Sequence, residues 1–327
     1  MKHQLITLAA ATLCLAACTN EESISHDFLA DTPIKLNVSV DEPTTRAGYS
    51  NDVRPTEFGL IVQHSENPTD KYNYMVLAEL EGENWKTYDL TQYHTDGTKK
   101  EVTMLWANMK DNVAIAAVSD VYSINVPIKN PTDQTTPDAL KKADFLAMPQ
   151  TRVPPTHSGI DVIFKHTMSK INLTIELGDE YEFTEDVEKK ITDVKIDGSK
   201  IETAITLKSK GDNPEFKFTD FSSDPTPISP FHTTTTPYSK TEGTIKRATA
   251  SYEAILIPQT IESGKFTVSF RVDGKLYEWA YNKELTLTPT TAYTLKLTAG
   301  NDKVQPVSFS VSPWVAGNGE GEEKETD

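Results

Sequence analysis

The chain of 327 residues contains only two cysteines, Cys14 and Cys18, and both lie close to its start. The part after Cys18 therefore cannot form an internal disulfide. The seven histidines are scattered, and no CxxC, HExxH, GxSxG or Walker-type loop occurs in the sequence. We therefore expect no metal, no cofactor and no catalytic centre, and an enzyme is the least favoured class.

Net positive charge is missing as well. The formal net charge is -16 at pH 7, which disfavours nucleic acid and anionic membrane surfaces as partners because both would repel the chain. With 37% hydrophobic and 24% charged residues, the composition is typical of a globular protein. The threonines spread along the sequence favour pleated sheets, since β-branched side chains pack well there.

A long hydrophobic run is a third absence. The apolar stretch from Leu5 to Ala17 is too short to span a bilayer, which takes roughly 20 residues, and it predicts a signal peptide over residues 1–17. The residues Leu15-Ala16-Ala17-Cys18 are similar to the lipobox of bacterial lipoproteins. This similarity implies cleavage before Cys18 and lipid attachment, such as a palmitate, at Cys18.

An alternating stretch follows, with apolar side chains at Ile34, Leu36, Val38 and Val40. Period two over this length predicts a strand with one buried face. Residues 41–48 have the composition of a loop, and they contain Arg46, one of only five arginines in the chain. A protease would find accessible backbone there, so we expect a cut between Arg46 and Ala47. Residues 18–46 would then be a lipidated propeptide.

Short strands at close spacing dominate the rest of the chain and predict an all-β fold of sandwich type. Prolines between residues 148 and 159 suggest a connector there. We therefore expect one sandwich over residues 47–157, a second over residues 158–316, and a flexible acidic tail over residues 317–327. Val307, Phe309 and Val311 alternate near the end of the second.

Four local features are clear enough to predict. Residues 136–143 predict a helix capped by Thr136, and residues 220–242 predict a long exposed loop. The pair Asp273-Gly274 predicts a hairpin tip that aligns Phe270 with Tyr277. His166 has no metal-ligating neighbour at a suitable spacing, so we expect a hydrogen-bonded structural histidine.

In the order of these motifs the chain resembles the fimbrillin family, the Mfa-like pilus subunits of Bacteroidales-type bacteria. The motifs that carry the resemblance are the lipobox at Cys18, Thr44-Thr45-Arg46-Ala47 after the early strand, Val162 through Ile175, Ala254 through Ile261, the Asp273-Gly274 hairpin, and Pro313-Trp314. Together they extend over essentially the whole chain.

The resemblance implies two tandem transthyretin-like, Greek-key β-sandwich domains and a type V pilus subunit. It implies a surface-exposed lipoprotein of the outer membrane that an arginine-specific protease cuts, and a strand from another subunit that fills the exposed groove. Val307, Phe309 and Val311 are the candidate donor strand. The implied partners are other fimbrial subunits, in a homo- or hetero-polymer, and a host protein or glycan. The sequence leaves open whether the subunit belongs to the stalk, tip, accessory or anchor class.

The rival hypothesis is a surface lipoprotein that binds glycans and does not polymerise. Such a protein would use exposed aromatic side chains, and the candidates are Trp85, Trp106, Trp314, Tyr277, Trp279 and Tyr281. A position in the core or at an interface is the more favoured interpretation for each of them. In the predicted hairpin, the last three share a face with Phe266 and Phe270, which favours the core.

Overall fold

The computed structural model describes residues 31–41, 49, 53–108, 110–119, 128–210, 213–300 and 303–314. The predicted signal peptide, Cys18, the Arg46–Ala47 bond and residues 317–327 lie outside this part of the chain. The predicted all-β fold is confirmed, because strands make up nearly all the regular structure of the described residues.

Among the described residues, the first half of the chain forms nine strands and two short helices. In chain order they are β1 (Thr32–Pro33), β2 (Leu36–Val40), β3 (Glu57–Gln63), β4 (Tyr74–Glu81), β5 (Asn84–Asp89), α1 (Leu90–Asp96), β6 (Leu105–Trp106), β7 (Val113–Val118), β8 (Ile128–Lys129), α2 (Pro137–Ala143) and β9 (Leu146–Val153).

The second half of the chain adds the remaining strands and one helical turn. They are β10 (Ile160–His166), β11 (Ser169–Leu177), α3 (Val187–Lys190), β12 (Ile191–Asp197), β13 (Glu202–Lys210), β14 (Asn213–Thr219), β15 (Phe231–Thr236), β16 (Ser239–Thr241), β17 (Thr244–Lys246), β18 (Thr249–Leu256), β19 (Thr260–Ile261), β20 (Thr267–Val272), β21 (Lys275–Ala280), β22 (Leu285–Thr286), β23 (Thr291–Ala299) and β24 (Val304–Pro313).

Two large sheets organise these strands. A seven-stranded sheet has the order β2-β10-β9-β7-β3-β4-β5, and a five-stranded sheet has the order β15-β18-β11-β23-β24. A three-stranded sheet, β12-β20-β21, supplies apolar side chains to the same core as the five-stranded sheet. Both β2 and β24 are therefore edge strands.

The described residues form four clusters of buried side chains, and three of them are large. One takes its residues from positions 38–164 and another from positions 171–299. The third joins the two halves, since it combines Val118 and Phe145 with Ile255, Ala292 and Trp314. The domain boundary between residues 157 and 158 stays a prediction; in the structure, the strand β10 that follows it pairs with β9 in the seven-stranded sheet.

The hairpin and the helix predicted from the sequence are confirmed. Phe270 pairs with Tyr277 across the tip, where Asp273 and Gly274 both have positive φ. The side chain of Thr136 accepts the hydrogen bond that caps α2. These two elements depend on turn conformation and helix capping, which are determined by residues close together in the sequence.

Two other expectations differ from the structure. Residues 220–242 contain β15 and β16, because a run of threonines suits an edge strand as well as a loop. The predicted connector begins inside β9, which passes through Pro149 in the middle of the sheet. The pairing between β7 and β9 shifts register between Ile115 and Ala117, so Pro149 lies at an irregularity, where proline is tolerated.

Candidate functional site

Residues 31–41, here called the N-terminal segment, bridge two separate strands of the fold. Its first part, β1, pairs antiparallel with β6, and the amide of Ile34 donates to the carbonyl of Met104 at 2.8 Å. Its second part, β2, runs parallel to β10, where the amide of Ile160 donates to the carbonyl of Lys35 at 2.8 Å. We call the space that this segment fills along β6 and β10 the groove.

The apolar side chains of the N-terminal segment point into the first core cluster. Val38 and Val40 are 6% and 2% exposed, and Ile34 and Leu36 are half-buried. On the groove side the cluster includes Phe164, which is fully buried. At about 1.5 to 3 kcal/mol for each buried large apolar side chain, the two valines together contribute about 3 to 6 kcal/mol, as an upper bound.

Polar contacts hold the same segment from outside. The side-chain amide of Asn37 donates to the carboxylate of Asp161 at 2.9 Å. Asp31 contacts the ammonium group of Lys71 at 3.4 Å and accepts from the hydroxyl of Tyr72 at 3.1 Å. These contacts are exposed to water, and exposed ion pairs contribute between 0 and about 1 kcal/mol. The buried valines therefore dominate the attachment.

Arg54 lies against the free edge of β2. Its Nη1 atom donates to the carbonyl oxygen of Val38 at 3.1 Å. In a parallel pair, alternate residues direct their backbone groups toward the neighbouring strand. Because Lys35 and Asp41 bond to β10, the backbone groups of Val38 face the opposite way. A guanidinium group thus occupies an edge position that another strand could otherwise pair with.

The opposite edge of the seven-stranded sheet is covered by the chain that follows. The amide of Asp89 donates to the carbonyl of Lys100 at 2.8 Å, and the amide of Val102 donates to the carbonyl of Thr87 at 2.8 Å. Residues 100–102 therefore lie beside β5. The two edges of the sheet differ, since one is covered by continuous chain and the other carries the N-terminal segment, joined through residues 42–48 to the rest.

The candidate donor strand lies in β24, at the edge of the five-stranded sheet. It pairs antiparallel with β23 from Thr291 to Ala299. Phe309 packs against Tyr281 with ring centroids 5.0 Å apart, while Val307 and Val311 are 55% and 47% exposed. In this structure the strand is thus part of its own sheet, with Val307 and Val311 about half exposed and Phe309 packed against the core.

His166, which the sequence analysis expects to be a hydrogen-bonded structural histidine, is buried and has a carboxylate partner. His166 Nδ1 lies 2.8 Å from the carboxylate of Asp144, and both side chains are buried. The second oxygen of Asp144 accepts the backbone amide of Tyr49 at 3.1 Å. Within the described residues, no group of three or more His, Cys, Asp or Glu side chains is arranged to hold a metal ion. Over the same part of the chain, no helix is long and apolar enough to cross a membrane.

The aromatic side chains of the glycan-binding hypothesis are buried or half-buried in every case. Trp106 and Trp314 belong to core clusters, and Trp85 packs edge-on against Phe58 at 5.0 Å. Tyr277 is buried in the second core cluster, and Trp279 and Tyr281 pack against that cluster. The described part of the chain offers none of these six rings as an open platform.

Solved structures share this fold. A protein from Bacteroides ovatus, described as a candidate for cell adhesion, superimposes with a TM-score of 0.56 at 15% identity, covering 88% of this chain and 100% of that one. A similarly described protein from Bacteroides uniformis has a TM-score of 0.50 at 14% identity, covering 86% of this chain and 98% of that one. No curated protein matches the sequence.

A family of related sequences also matches most of the chain. The profile of the family described as fimbrillin-like matches residues 45–314. This range begins one residue before Arg46 and ends at Trp314, so it includes both large sheets except for β2. The chain belongs to the fimbrillin-like family.

Proposed function

We propose that this chain is the precursor of a fimbrial subunit that polymerises by strand exchange. In this proposal a protease cuts after Arg46, the N-terminal segment leaves, and a strand from another subunit enters the groove. The observation that carries the proposal is the position of Val38 and Val40, which are deeply buried yet belong to an edge strand tied to the fold through residues 42–48.

Removing the N-terminal segment would leave a site that demands a new strand. The groove would lose two buried valines, and β10 would present unpaired backbone groups along its edge. Buried or apolar-lined backbone groups without partners are costly, and an open sheet edge recruits another strand readily. Strand addition to such an edge is a known mode of assembly in pilins. Cleavage would therefore convert a closed precursor into an acceptor.

The beginning of the chain supports a route to the cell surface. A signal peptide over residues 1–17 and acylation of Cys18 would carry the precursor to the outer membrane, with the lipid as its anchor. Cutting after Arg46 would separate the folded part from that anchor, so assembly and release from the membrane would be one event. The partners would be other fimbrial subunits and an arginine-specific protease.

The finished polymer would serve cell adhesion, which agrees with the family and with the description of the Bacteroides ovatus relative. In this role the chain acts as a structural unit and not as an enzyme. Host proteins or glycans are the surfaces to which it would attach. The strand containing Val307, Phe309 and Val311 is the part that it would donate to a neighbour.

The test compares the wild-type chain with Arg46→Ala, and uses Arg152→Ala as the matched control because Arg152 is an exposed arginine elsewhere. Protein recovered from the cell surface is sequenced from its N-terminus and sized. We expect wild type and Arg152→Ala to start at Ala47 in polymers, and Arg46→Ala to remain a lipidated monomer. Monomers starting at acylated Cys18 in all three would contradict polymerisation and favour an anchor subunit or a glycan-binding lipoprotein.

A further inference from the structure

A line of direct contacts connects the chain just after Arg46 with the end of the last strand. Tyr49, three residues after Arg46, donates its backbone amide to one carboxylate oxygen of Asp144 at 3.1 Å. The other oxygen of Asp144 lies 2.8 Å from Nδ1 of His166, whose ring stacks on Trp314 with centroids 4.4 Å apart. Trp314 directly follows β24. A displacement of Tyr49 can therefore reach the end of β24 through three contacts.

The intact chain restrains Tyr49 from both directions. On the N-terminal side of the expected cut, the amide of Asp41 donates to the carbonyl of Phe164 at 2.7 Å. On the other side, Tyr49 itself is bound to Asp144. Cutting after Arg46 makes Tyr49 the third residue of a free end, and chain ends fray more readily than internal segments. The bond between Tyr49 and Asp144 should therefore be weaker in the cut chain.

Asp144 transmits this change because its carboxylate is fully buried. An ionised carboxylate only accepts hydrogen bonds, so Nδ1 of His166 and the amide of Tyr49 are its two donors. A buried carboxylate oxygen without a donor is costly, and loss of the amide would favour rotation of the group away from His166. The half-buried ring of Tyr49 packs against the first core cluster, 5.6 Å from the ammonium group of Lys141, which keeps the loss partial.

The contacts around Trp314 include strained and unsatisfied groups. Its backbone amide donates to the carbonyl of Thr290 at 2.7 Å. Thr290 has a φ of 56°, in the left-handed region that a β-branched residue rarely adopts. Among the described residues, Nε1 of Trp314 and Nε2 of His166 are buried without a hydrogen-bond partner. Such groups persist only where neighbouring contacts hold them, so a weaker contact at His166 should loosen Trp314.

We propose that Asp144 couples the cut after Arg46 to the end of β24, so that the intact chain holds Trp314 against His166 and the cut loosens it. This inference rests on the proposed function, which supplies the cut, whereas the coupling itself is a property of the folded chain. Coupling between two sites is reciprocal, so displacement of Trp314 would also weaken the bond of Tyr49. A precursor that is still anchored would thus keep the end of its last strand fixed.

Hydrogen exchange at the backbone amide of Trp314, followed by NMR, measures the coupling. The full chain is compared before and after digestion with an arginine-specific protease, under conditions in which mass spectrometry shows a single cut, after Arg46. The amide of Ile160, which donates to the carbonyl of Lys35, reports that the N-terminal segment is still bound. We then expect about fivefold faster exchange at Trp314, equivalent to about 1 kcal/mol. Arg46→Ala treated with the same protease should exchange like the uncut chain.

Two variants test the route through Asp144. In Asp144→Ala the link is missing, so the cut should change the exchange of Trp314 by less than about twofold. Tyr49→Pro removes the amide donor without any cut, and it should accelerate exchange at Trp314 about fivefold. The amide of Leu177, which donates to the carbonyl of Ala248 at 2.9 Å at the other end of β11, should stay protected in both variants.

Each remaining outcome has a defined meaning. Unchanged exchange at Trp314 after a verified cut would overturn the coupling and leave the proposed function intact. A fivefold effect of the cut in Asp144→Ala would show that the signal does not pass through that carboxylate. If Asp144→Ala does not fold, as lost protection at Leu177 would reveal, Tyr49→Pro decides alone. Resistance of the bond after Arg46 to the protease would instead contradict the proposed function, and Tyr49→Pro would still test the coupling.

Discussion

His166 and Trp314 stack face to face, with ring centroids 4.4 Å apart and an interplanar angle of 21°. The contact joins the end of β10 to the residue that follows β24, and both rings are buried at the junction of the two halves. The imidazole of His166 also has a polar partner, because its Nδ1 atom lies 2.8 Å from the carboxylate of Asp144. Trp314 therefore fixes the end of the last strand in the interior of the protein.

Replacing Trp314 by alanine should destabilise the fold strongly. The side chain is 4% exposed, and removing such a ring leaves a cavity between the two halves. Truncations of this kind typically cost about 3 to 5 kcal/mol in free energy of unfolding. Urea unfolding of Trp314→Ala against wild type measures the loss.

Val307→Ala in the same strand is the control, because that side chain is mostly exposed and should change the free energy by less than about 0.5 kcal/mol. Equal effects of the two substitutions would show that Trp314 does not anchor the strand.

A charge in the groove should detach the N-terminal segment from an uncut chain. Val38→Asp places a carboxylate in a position that is 6% exposed and has an apolar lining. The amide of Ile160, which donates to the carbonyl of Lys35 just before β2, reports the attachment through hydrogen exchange. We expect about a hundredfold faster exchange, equivalent to a loss of about 3 kcal/mol.

Ser39→Asp adds the same charge on the opposite face of β2, where the paired residue Ile163 is exposed. It should leave the exchange of the Ile160 amide nearly unchanged. If both substitutions accelerate exchange to the same extent, net charge rather than burial governs the attachment of the N-terminal segment. The buried valines would then not be its main source of stability.

Arg54 should slow the departure of the N-terminal segment after the cut. Its hydrogen bond to the Val38 carbonyl lies at the protein surface, so we assign it about 1 kcal/mol, which corresponds to about fivefold in rate. The freed segment, labelled at its own N-terminus, can be followed by fluorescence as it leaves the cut chain.

Arg54→Ala should release the segment about fivefold faster than wild type. Arg152→Ala should release it at the wild-type rate. Unchanged release from Arg54→Ala would show that the guanidinium does not hold the edge of β2.

The sequence predicted the features that local chemistry determines. The Asp273-Gly274 hairpin and the capped helix α2 depend on residues a few positions apart, and both occur as expected. By contrast, the contact between Arg54 and the Val38 carbonyl joins a loop to a strand edge, and no spacing rule reveals it. In the sequence, Arg54 stands out only because the chain contains just five arginines.

The same limit applies to the partners of β2. An alternating run predicts a strand with one buried face, and Val38 and Val40 are indeed inside. It does not predict that β2 runs parallel to β10, a strand far away in the sequence, or that Ile34 bonds to Met104, just before the separate strand β6. Pairing between distant strands depends on the whole topology, which local patterns do not contain.

Acid should loosen the loop between β3 and β4 in a defined pH range. The hydrogen bond from His64 lowers the pKa of Asp70 most, followed by bonds from the Ser65 hydroxyl and the Tyr72 amide, and brings it to about 2 from the usual 3.8. A carboxyl group with a lower pKa in the folded state stabilises the fold above the unfolded value. The contribution is therefore complete above about pH 3.8 and is lost as the pH falls toward 2.

Titrating the side-chain carboxyl carbon of Asp70 by NMR measures this pKa directly. His64→Ala removes the largest cause, so the pKa of Asp70 should rise toward 3.8. His94→Ala serves as the control, because His94 is exposed on α1 and its ring neighbour is Tyr93. If the Asp70 pKa stays near 2 in His64→Ala, the Ser65 and Tyr72 bonds alone hold the carboxylate, and the loop would keep its acid stability without the histidine.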